Sequence, residues 1–339
     1  MQISVALATY NGAKHISAQL ESLASQRHLP HEIVIGDDGS TDATLDIVED
    51  FARHASFPVH VHRNETNLGY ARNFLATAKR CRGDWIAFCD QDDVWLPNKL
   101  HDAASAIERA PGCTMVLQNA WLCDGDLSSR GRKFPNRIRA GIKGRLSQYG
   151  FWVWLGFLQT VSKEVISLWD GGHLPRNYFP DHREMSHDKW SCLIANALGG
   201  ICVLGEPAAL YRRHEGTVTG DYKQKSPSER LRKSLDVSSE HYDFLSSVAH
   251  ECAEYLEQLA ERAVNPSWSV AFQESACAFS KIERLQGVRA ALYQERNVAR
   301  RMSAFITIFR EGGYIGAPFH AMGLRSAVKD VVRLSVGGK

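Results

Sequence analysis

The chain reads as an α/β protein built on a doubly wound, mostly parallel sheet, and three observations carry that reading. Short apolar runs at residues 3–8, 33–36, 59–62, 85–89 and 115–121 recur in steps of about 25–30 residues. Helical patterns or shorter connections fill the gaps between the first four runs, and strands that alternate with helices make a parallel sheet. Several runs end in carboxylates or small polar residues, the composition of the edge at which open α/β sheets bind ligands.

The first run, "ISVALA", is followed by "AKHISAQLESLASQ", in which Ile16, Leu20 and Leu23 share one helical face. After the second run, "TDATLDIVEDFARH" sets Leu45, Val48 and Phe51 on one face, and after the third "YARNFLATAKRC" follows the same rule. The fourth and fifth runs complete a first unit, residues 1–124. From 125 to 220 the pattern breaks into glycine, arginine and aromatic residues, with one helix after "SHDKW" and one strand at 201–204, as a second lobe would show. The apolar run "FWVWLGFLQTV" (151–161) fits either the core of that lobe or a face that meets lipid. Residues 221–339 read as helical. They open on "SPSERLRKSLDV", which has the form of a capping box, and continue through two long helices interrupted near 265–268.

At 339 residues and 44% hydrophobic content the chain can bury a sizeable core, and its formal charge of +2 provides no basic field of the kind nucleic-acid binders carry. Nucleic acid is set aside as a partner. The eight cysteines form no CxxC pair and mostly sit in apolar runs, which favours buried thiols in a reducing cytoplasm. The apolar run after Met1 is too short for a signal-peptide core, and no window reaches the ~20 apolar residues of a spanning helix.

The stretch "FCDQDDVW" (88–95) packs three carboxylates into four positions directly after an apolar run. Like charges so close repel unless a cation joins them, which makes a divalent cation, with a phosphate behind it, the leading ligand. "DDGSTD" (37–42) combines a turn with a helix cap; capping accounts for Ser40 to Asp42 but leaves Asp37 and Asp38 unexplained. Together with "ALATYNG" (6–12) and "NLGYARN" (67–73), these motifs stand in order at strand ends or helix starts. At this point the sequence resembles the family 2 glycosyltransferases, which use the nucleotide-sugar-binding GT-A fold.

The resemblance implies a GT-A sheet with an acceptor-binding lobe and a helical C-terminal region, and it assigns roles position by position. Ala8, through its backbone, Tyr10 and Asp38 are implied at the nucleotide base and ribose, Tyr10 by stacking and Asp38 by accepting from a pyrimidine N3–H. Asp90 is implied at the ribose, and Asp92 at a Mg²⁺ or Mn²⁺ that bridges the diphosphate oxygens. Arg72 is implied near the nucleotide, although a surface arginine also fits the position. Asp93 reads as a cap for the next helix. Asp188 in "HDKW" is implied as the catalytic base, while an aspartate opening a helix is also an ordinary cap. In "LYRRHEG", Arg212 is implied at the leaving diphosphate, and His214 there or at the metal, where a structural histidine competes.

The implied reaction is inverting transfer of a sugar from a nucleotide diphosphate to a hydroxyl of a glycan or polyprenyl-linked oligosaccharide. The "CDQDDVW" and "HDKW" forms are similar to the bacterial rhamnosyltransferase-like branch of surface polysaccharide synthesis, with L-rhamnose from dTDP-rhamnose as the expected donor and UDP-hexoses or UDP-N-acetylhexosamines as alternatives. A Rossmann dehydrogenase would need G-x-G-x-x-G after the first strand, and "ATYNGAKH" has one glycine. A non-catalytic sugar-nucleotide-binding scaffold would lose the acidic motif or the base, and both are present. In the tail, Arg300, Arg301, Arg310, Arg325, Lys329 and Arg333 alternate with apolar groups, as in a segment docked peripherally on the cytoplasmic face of the inner membrane or in an ordinary packed helix.

Overall fold

The computed structural model describes residues 1–135, 139–179, 183–213 and 237–336. Its ten strands are β1 (Ile3–Thr9), β2 (Glu32–Asp37), β3 (Val59–Arg63), β4 (Trp85–Asp90), β5 (Val94–Trp95), β6 (Met115–Cys123), β7 (Ser129–Phe134), β8 (Gly141–Lys143), β9 (Gln159–Ser162) and β10 (Ile201–Arg212). They form one sheet in the order β3-β2-β1-β4-β9-β6-β10-β5, with β7 on β6 and β8 on β10. β3, β2, β1, β4, β6 and β10 run the same way; the four short strands run against them.

Both faces of the sheet are covered, which is why the central strands read as unbroken apolar runs. Val5 and Leu7 of β1 pack under α1 (Ile16–Ala24), α2 (Thr44–His54) and α4 (Lys99–Arg109) through Ile16, Leu20, Val48 and Leu100. Ala6 and Ala8 share the opposite core with α3 (Gly69–Arg80), α5 (Lys163–Ser167) and α6 (His187–Leu198), through Phe74, Leu75, Val165, Trp190 and Ile194. Six of the eight cysteines are buried and none is in a disulfide.

The 125–220 stretch adds strands to this same sheet. The apolar run at 151–161 ends in β9, which lies between β4 and β6, and Phe157, Leu158 and Val161 are buried, so the run is core and not a lipid-facing surface. β10 extends to Arg212, well beyond the expected 201–204. Pro207 sits where the pairing register shifts, because a residue without an N–H breaks the ladder locally while the strand continues past it. β5, β7, β8 and β9 were not foreseen; two- to six-residue strands such as "SRGRKF" carry too little apolar alternation.

α7 (Ser239–Arg262) and α8 (Pro266–Gln294) are the two long helices, broken where expected. The Asn265 side chain accepts the Ser267 N–H at 3.0 Å and Pro266 is the first helical residue, so a new helix begins there. Val248, Cys252 and Leu256 of α7 and Phe272, Phe279 and Ile282 of α8 join the core around α6. The segment "SPSERLRKSLDV" lies outside the described residues.

α9 (Val298–Arg310) and α10 (Leu324–Val336) close the chain, and here the expected basic surface is corrected in part. Asp330 on α10 is fully buried and accepts from Arg289 Nη2, Tyr293 OH and Tyr314 OH, each at 2.8 Å. Around it, Lys329 Nζ donates to Tyr242 OH at 2.7 Å, Arg301 Nη1 donates to the Arg333 carbonyl at 3.0 Å, and the Arg333 guanidinium lies over the Tyr293 ring. Arg301, Lys329 and Arg333 therefore hold the tail inward, leaving Arg300, Arg310 and Arg325 on the surface. Among the described residues no helix is long and apolar enough to cross a membrane.

One buried residue sets a pH limit on this fold. The His187 ring stacks on Phe74 at 4.0 Å, meets Phe88 and Tyr70 edge-on at 4.9 and 6.4 Å, and has no hydrogen-bond partner on either nitrogen. A Cβ at Gly156 would lie 2.2 Å from its Nε2, so only glycine fits there. Burial pushes the imidazole down to about 4, with the Asp188 carboxylate opposing. Because the unfolded chain takes up this proton first, the fold loses about 3 kcal/mol as pH falls from 6.5 towards 4. We expect His187→Leu to flatten that part of the stability profile in urea unfolding at pH 7.5 and 4.5; equal losses in parent and variant would refute it.

Candidate active site

β1 pairs with β2 on one side and β4 on the other, so the chain switches direction across the sheet at β1, and at such a point open α/β sheets form their ligand crevice, here at the carboxyl ends of β1 and β4. Gln91, between the expected ribose and metal aspartates, bridges this crevice. Its Oε1 accepts from Thr9 Oγ1 at 2.6 Å and from Tyr10 N at 3.0 Å, and its Nε2 donates to the Tyr10 carbonyl at 3.2 Å. A Cβ at Gly12 would stand 2.2 Å from that Oε1, which explains the glycine in "TYNG". Ala8 is buried in β1, registered against Gly36 and Asp90, and the Tyr10 ring is 51% exposed at the crevice mouth.

The "DDGSTD" turn is held by its own carboxylates. Asp37 Oδ2 accepts the N–H groups of Gly39 and Ser40, at 3.1 and 3.0 Å. Asp42 accepts from Thr44 N and Ala13 N, but the N-cap residue of α2 is Ala43, so Asp42 holds the first helical N–H from one position before the cap. Asp38 is buried: Oδ1 accepts from Leu68 N at 2.7 Å and Asn64 Nδ2 at 3.0 Å, and Oδ2 accepts from Gly69 N at 2.8 Å. Its carboxylate anchors the loop that opens α3, so a contact to a pyrimidine N3–H has to share Oδ2 with Gly69.

Asp90, Asp92 and Asp93 sit together at the carboxyl end of β4. Burial pushes Asp90 up to about 8, with the Asp92 and Asp188 carboxylates adding to the rise. Asp93 is also pushed well up, by burial and then by Asp92 and Asp90. Asp93 does not cap α4, whose N-cap residue is Asn98; its Oδ1 accepts the Arg212 N–H at 2.9 Å, and its buried Oδ2 has no hydrogen-bond partner. Arg212, expected at a diphosphate, is 6% exposed, and its Nε and Nη1 donate to the carbonyls of Asp92 and Gly125 at 2.7 and 2.6 Å. It clamps the acidic turn to β10. A small hard cation suits this corner, since such ions take one or two carboxylates and complete their shell with water and substrate phosphates. Among the described residues no three His, Cys, Asp or Glu side chains converge as a metal site.

Asp188 lies in the first turn of α6, whose N-cap residue is Ser186. Its Oδ1 accepts from the Ser186 hydroxyl and from Lys189 N at 2.9 Å, and its charge reaches Asp90 across the crevice. The approach to α6 is a small hairpin, with Asn177 N donating to the Arg183 carbonyl and Met185 N to the Pro175 carbonyl, both at 2.8 Å. It is pinned on two sides. Arg72 of α3 grips Glu184 through Nε and Nη2, both at 2.7 Å, and Arg176 N donates to Glu251 of α7 at 2.9 Å. Trp190 Nε1 then donates to Tyr255 OH of α7 at 2.9 Å.

Arg72 was expected beside the nucleotide; the structure pairs it with the hairpin that carries Asp188. Ala8, Tyr10, Asp90, Asp92 and Asp188 are brought around one crevice, Asp38 and Arg212 are its supports, and His214 lies outside the described residues. Sequence reasoning missed Gln91 and Glu184. Gln91 stood between two noticed aspartates, and the glycine at position 12 was the signal for it; Glu184 carried none.

Residues 4–164 match the family model for glycosyl transferase family 2. An uncharacterized protein of Mycobacterium tuberculosis is 28% identical over 218 residues, 62% of this chain and 59% of that protein. The abequosyltransferase RfbV of Salmonella typhimurium is 34% identical over 102 residues, 30% of this chain and 31% of its own. The chain thus matches less than two thirds of the length of these curated relatives. Among solved structures, S. aureus TarS 1-349 in complex with UDP-GlcNAc has 20% identity, coverage of 92% of both chains and a TM-score of 0.52, a likeness of fold. Residues 4–164 thus carry the match to glycosyl transferase family 2, and the sheet they help to build has a fold like that of TarS.

Proposed function

We propose that the protein is an inverting glycosyltransferase that moves a sugar from a nucleotide diphosphate to a hydroxyl of a glycan or lipid-linked oligosaccharide, with Asp188 as the base. One observation carries this: the Asp188 carboxylate stands across the switch-point crevice from the acidic turn, near enough to help raise Asp90. In this reading the nucleotide lies at the ends of β1 and β2, with Tyr10 stacking on the base and Asp90 at the ribose. A Mg²⁺ or Mn²⁺ held by Asp92 and the donor's phosphates would neutralise charge on the leaving diphosphate. The bonds from Ser186 and Lys189 N fix Asp188 through Oδ1, so Oδ2 is the oxygen that takes the acceptor's proton. The acceptor oxygen attacks the anomeric carbon opposite the diphosphate, the carbon–oxygen bond breaks towards phosphate, and configuration inverts. The "CDQDDVW" and "HDKW" forms support L-rhamnose from dTDP-rhamnose as donor.

We place the reaction at the cytoplasmic face of the inner membrane. Val298, Met302, Ile306 and Phe309 of α9 and Leu324 and Val328 of α10 are exposed at helical spacing, beside the surface cations Arg300, Arg310 and Arg325. In flotation with anionic vesicles at low salt the parent should rise with the lipid and Phe309→Asp should rise less; a parent that stays at the bottom refutes this docking.

Asp188→Asn tests the base. Asparagine Oδ1 can keep both bonds that Asp188 makes, so folding and nucleotide affinity should hold while transfer falls ~10²-fold or more, the usual worth of a general base. The assay is release of nucleotide diphosphate, screened over dTDP-rhamnose, UDP-glucose and UDP-N-acetylglucosamine. Near-parental turnover in the variant would remove Asp188 from the mechanism.

A further inference from the structure

We propose that Tyr70 and Phe179 form the two walls of a carbohydrate acceptor subsite around Asp188, an inference that rests on Asp188 being the base. Among the described residues only four aromatic side chains are exposed: Tyr10, Tyr70, Phe179 and Phe309. Phe309 is far along the chain in α9 and Tyr10 belongs to the end of β1, which leaves Tyr70 and Phe179, 44% and 55% exposed. Both are tied to the start of α6. The Tyr70 ring stands edge-on to His187, with centroids 6.4 Å apart, and the Phe179 ring lies 4.1 Å from Lys189 Nζ. His187 and Lys189 are the residues directly before and after Asp188, and side chains one before and one after a helical residue lie about 200° apart around the axis, which is why we place the two rings on either side of the carboxylate.

Neither ring is loose. Tyr70 is on α3, two residues before the Arg72 that grips Glu184, and the Phe179 N–H donates to Asn177 Oδ1 at 3.2 Å within the hairpin leading to Asp188. Both walls therefore move with the carboxylate. An aromatic face presents large, rigid contact area at little entropic cost, and it suits a pyranose, whose faces carry C–H groups and whose rim carries hydroxyls. A sugar held between the rings would bring a rim hydroxyl to Asp188. Exposed aromatics contribute little to a core, so the fold alone does not call for them here.

The test is saturation-transfer NMR on the full chain with dTDP and Mg²⁺, the diamagnetic ion being chosen over Mn²⁺ to avoid paramagnetic broadening, using methyl glycosides of rhamnose, glucose, galactose, mannose and N-acetylglucosamine as probes. We expect saturation on the ring C–H protons of at least one glycoside, an affinity about 10-fold weaker in Tyr70→Ala and in Phe179→Ala, and recovery in Tyr70→Phe and Phe179→Tyr. dTDP binding by calorimetry and the melting temperature should be unchanged in the alanine variants, which separates lost contact from misfolding and acceptor from donor. Binding of none of the glycosides, or equal binding by the alanine variants, overturns the proposal. The readout needs no turnover, so it stays separate from the Asp188→Asn result: normal transfer by that variant removes the base, whereas loss of the rings' effect removes the walls.

Discussion

Asp90, Asp92 and Asp93 crowd the carboxyl end of β4, where burial and mutual repulsion oppose their charges. What makes the arrangement tolerable is Arg212. It arrives from the far end of β10, donates its N–H to Asp93 and its guanidinium to two carbonyls of the turns around it, and places a buried positive charge beside the cluster. The long β10 strand, carried past Pro207 by a shift in register, is the structural condition for that delivery. A strand ending at residue 204 could not provide it.

The second half of the site is organised by a different device. Asp188 is held by a hairpin fastened to the sheet side by Arg72–Glu184 and to the C-terminal helices by Arg176–Glu251, with Trp190 and Tyr255 continuing the attachment. The helices after residue 238 are therefore part of what positions the candidate base, through α7. α7 and α8 are in turn packed into the core on which α6 rests. The placement of Asp188 thus depends on packing well outside the matched family segment.

Much of this was legible in the sequence for a plain reason. Parallel strands buried on both faces must be apolar throughout, so β1, β2 and β4 announce themselves, and charges placed at their ends stand out. Asp90 and Asp92 stood out for that reason, whereas Asp188, in the first turn of α6, was implied by the resemblance alone. The short antiparallel strands could not, because β9 is four residues inside a longer apolar run that fitted a lipid face as well as a core. Arg212 and Arg72 were visible as cations but not in their roles. Arg212 bonds to carbonyls, which have no side-chain signature, and Arg72 finds Glu184 at a separation of 112 residues that only the fold closes. The tail held a similar ambiguity: its basic residues look alike in sequence, and Asp330 with its three donors decides which of them turn inward.

The central claim is that the acidic turn and Asp188 face one bound donor from opposite sides. Anomalous diffraction from crystals grown with Mn²⁺ and a nucleoside diphosphate tests it most directly. One manganese peak is expected about 2.1 Å from an Asp92 carboxylate oxygen and in contact with both phosphates, with Asp188 across the crevice from them. A diphosphate bound elsewhere, or bound here with no manganese at the turn of residues 90–93, would contradict it.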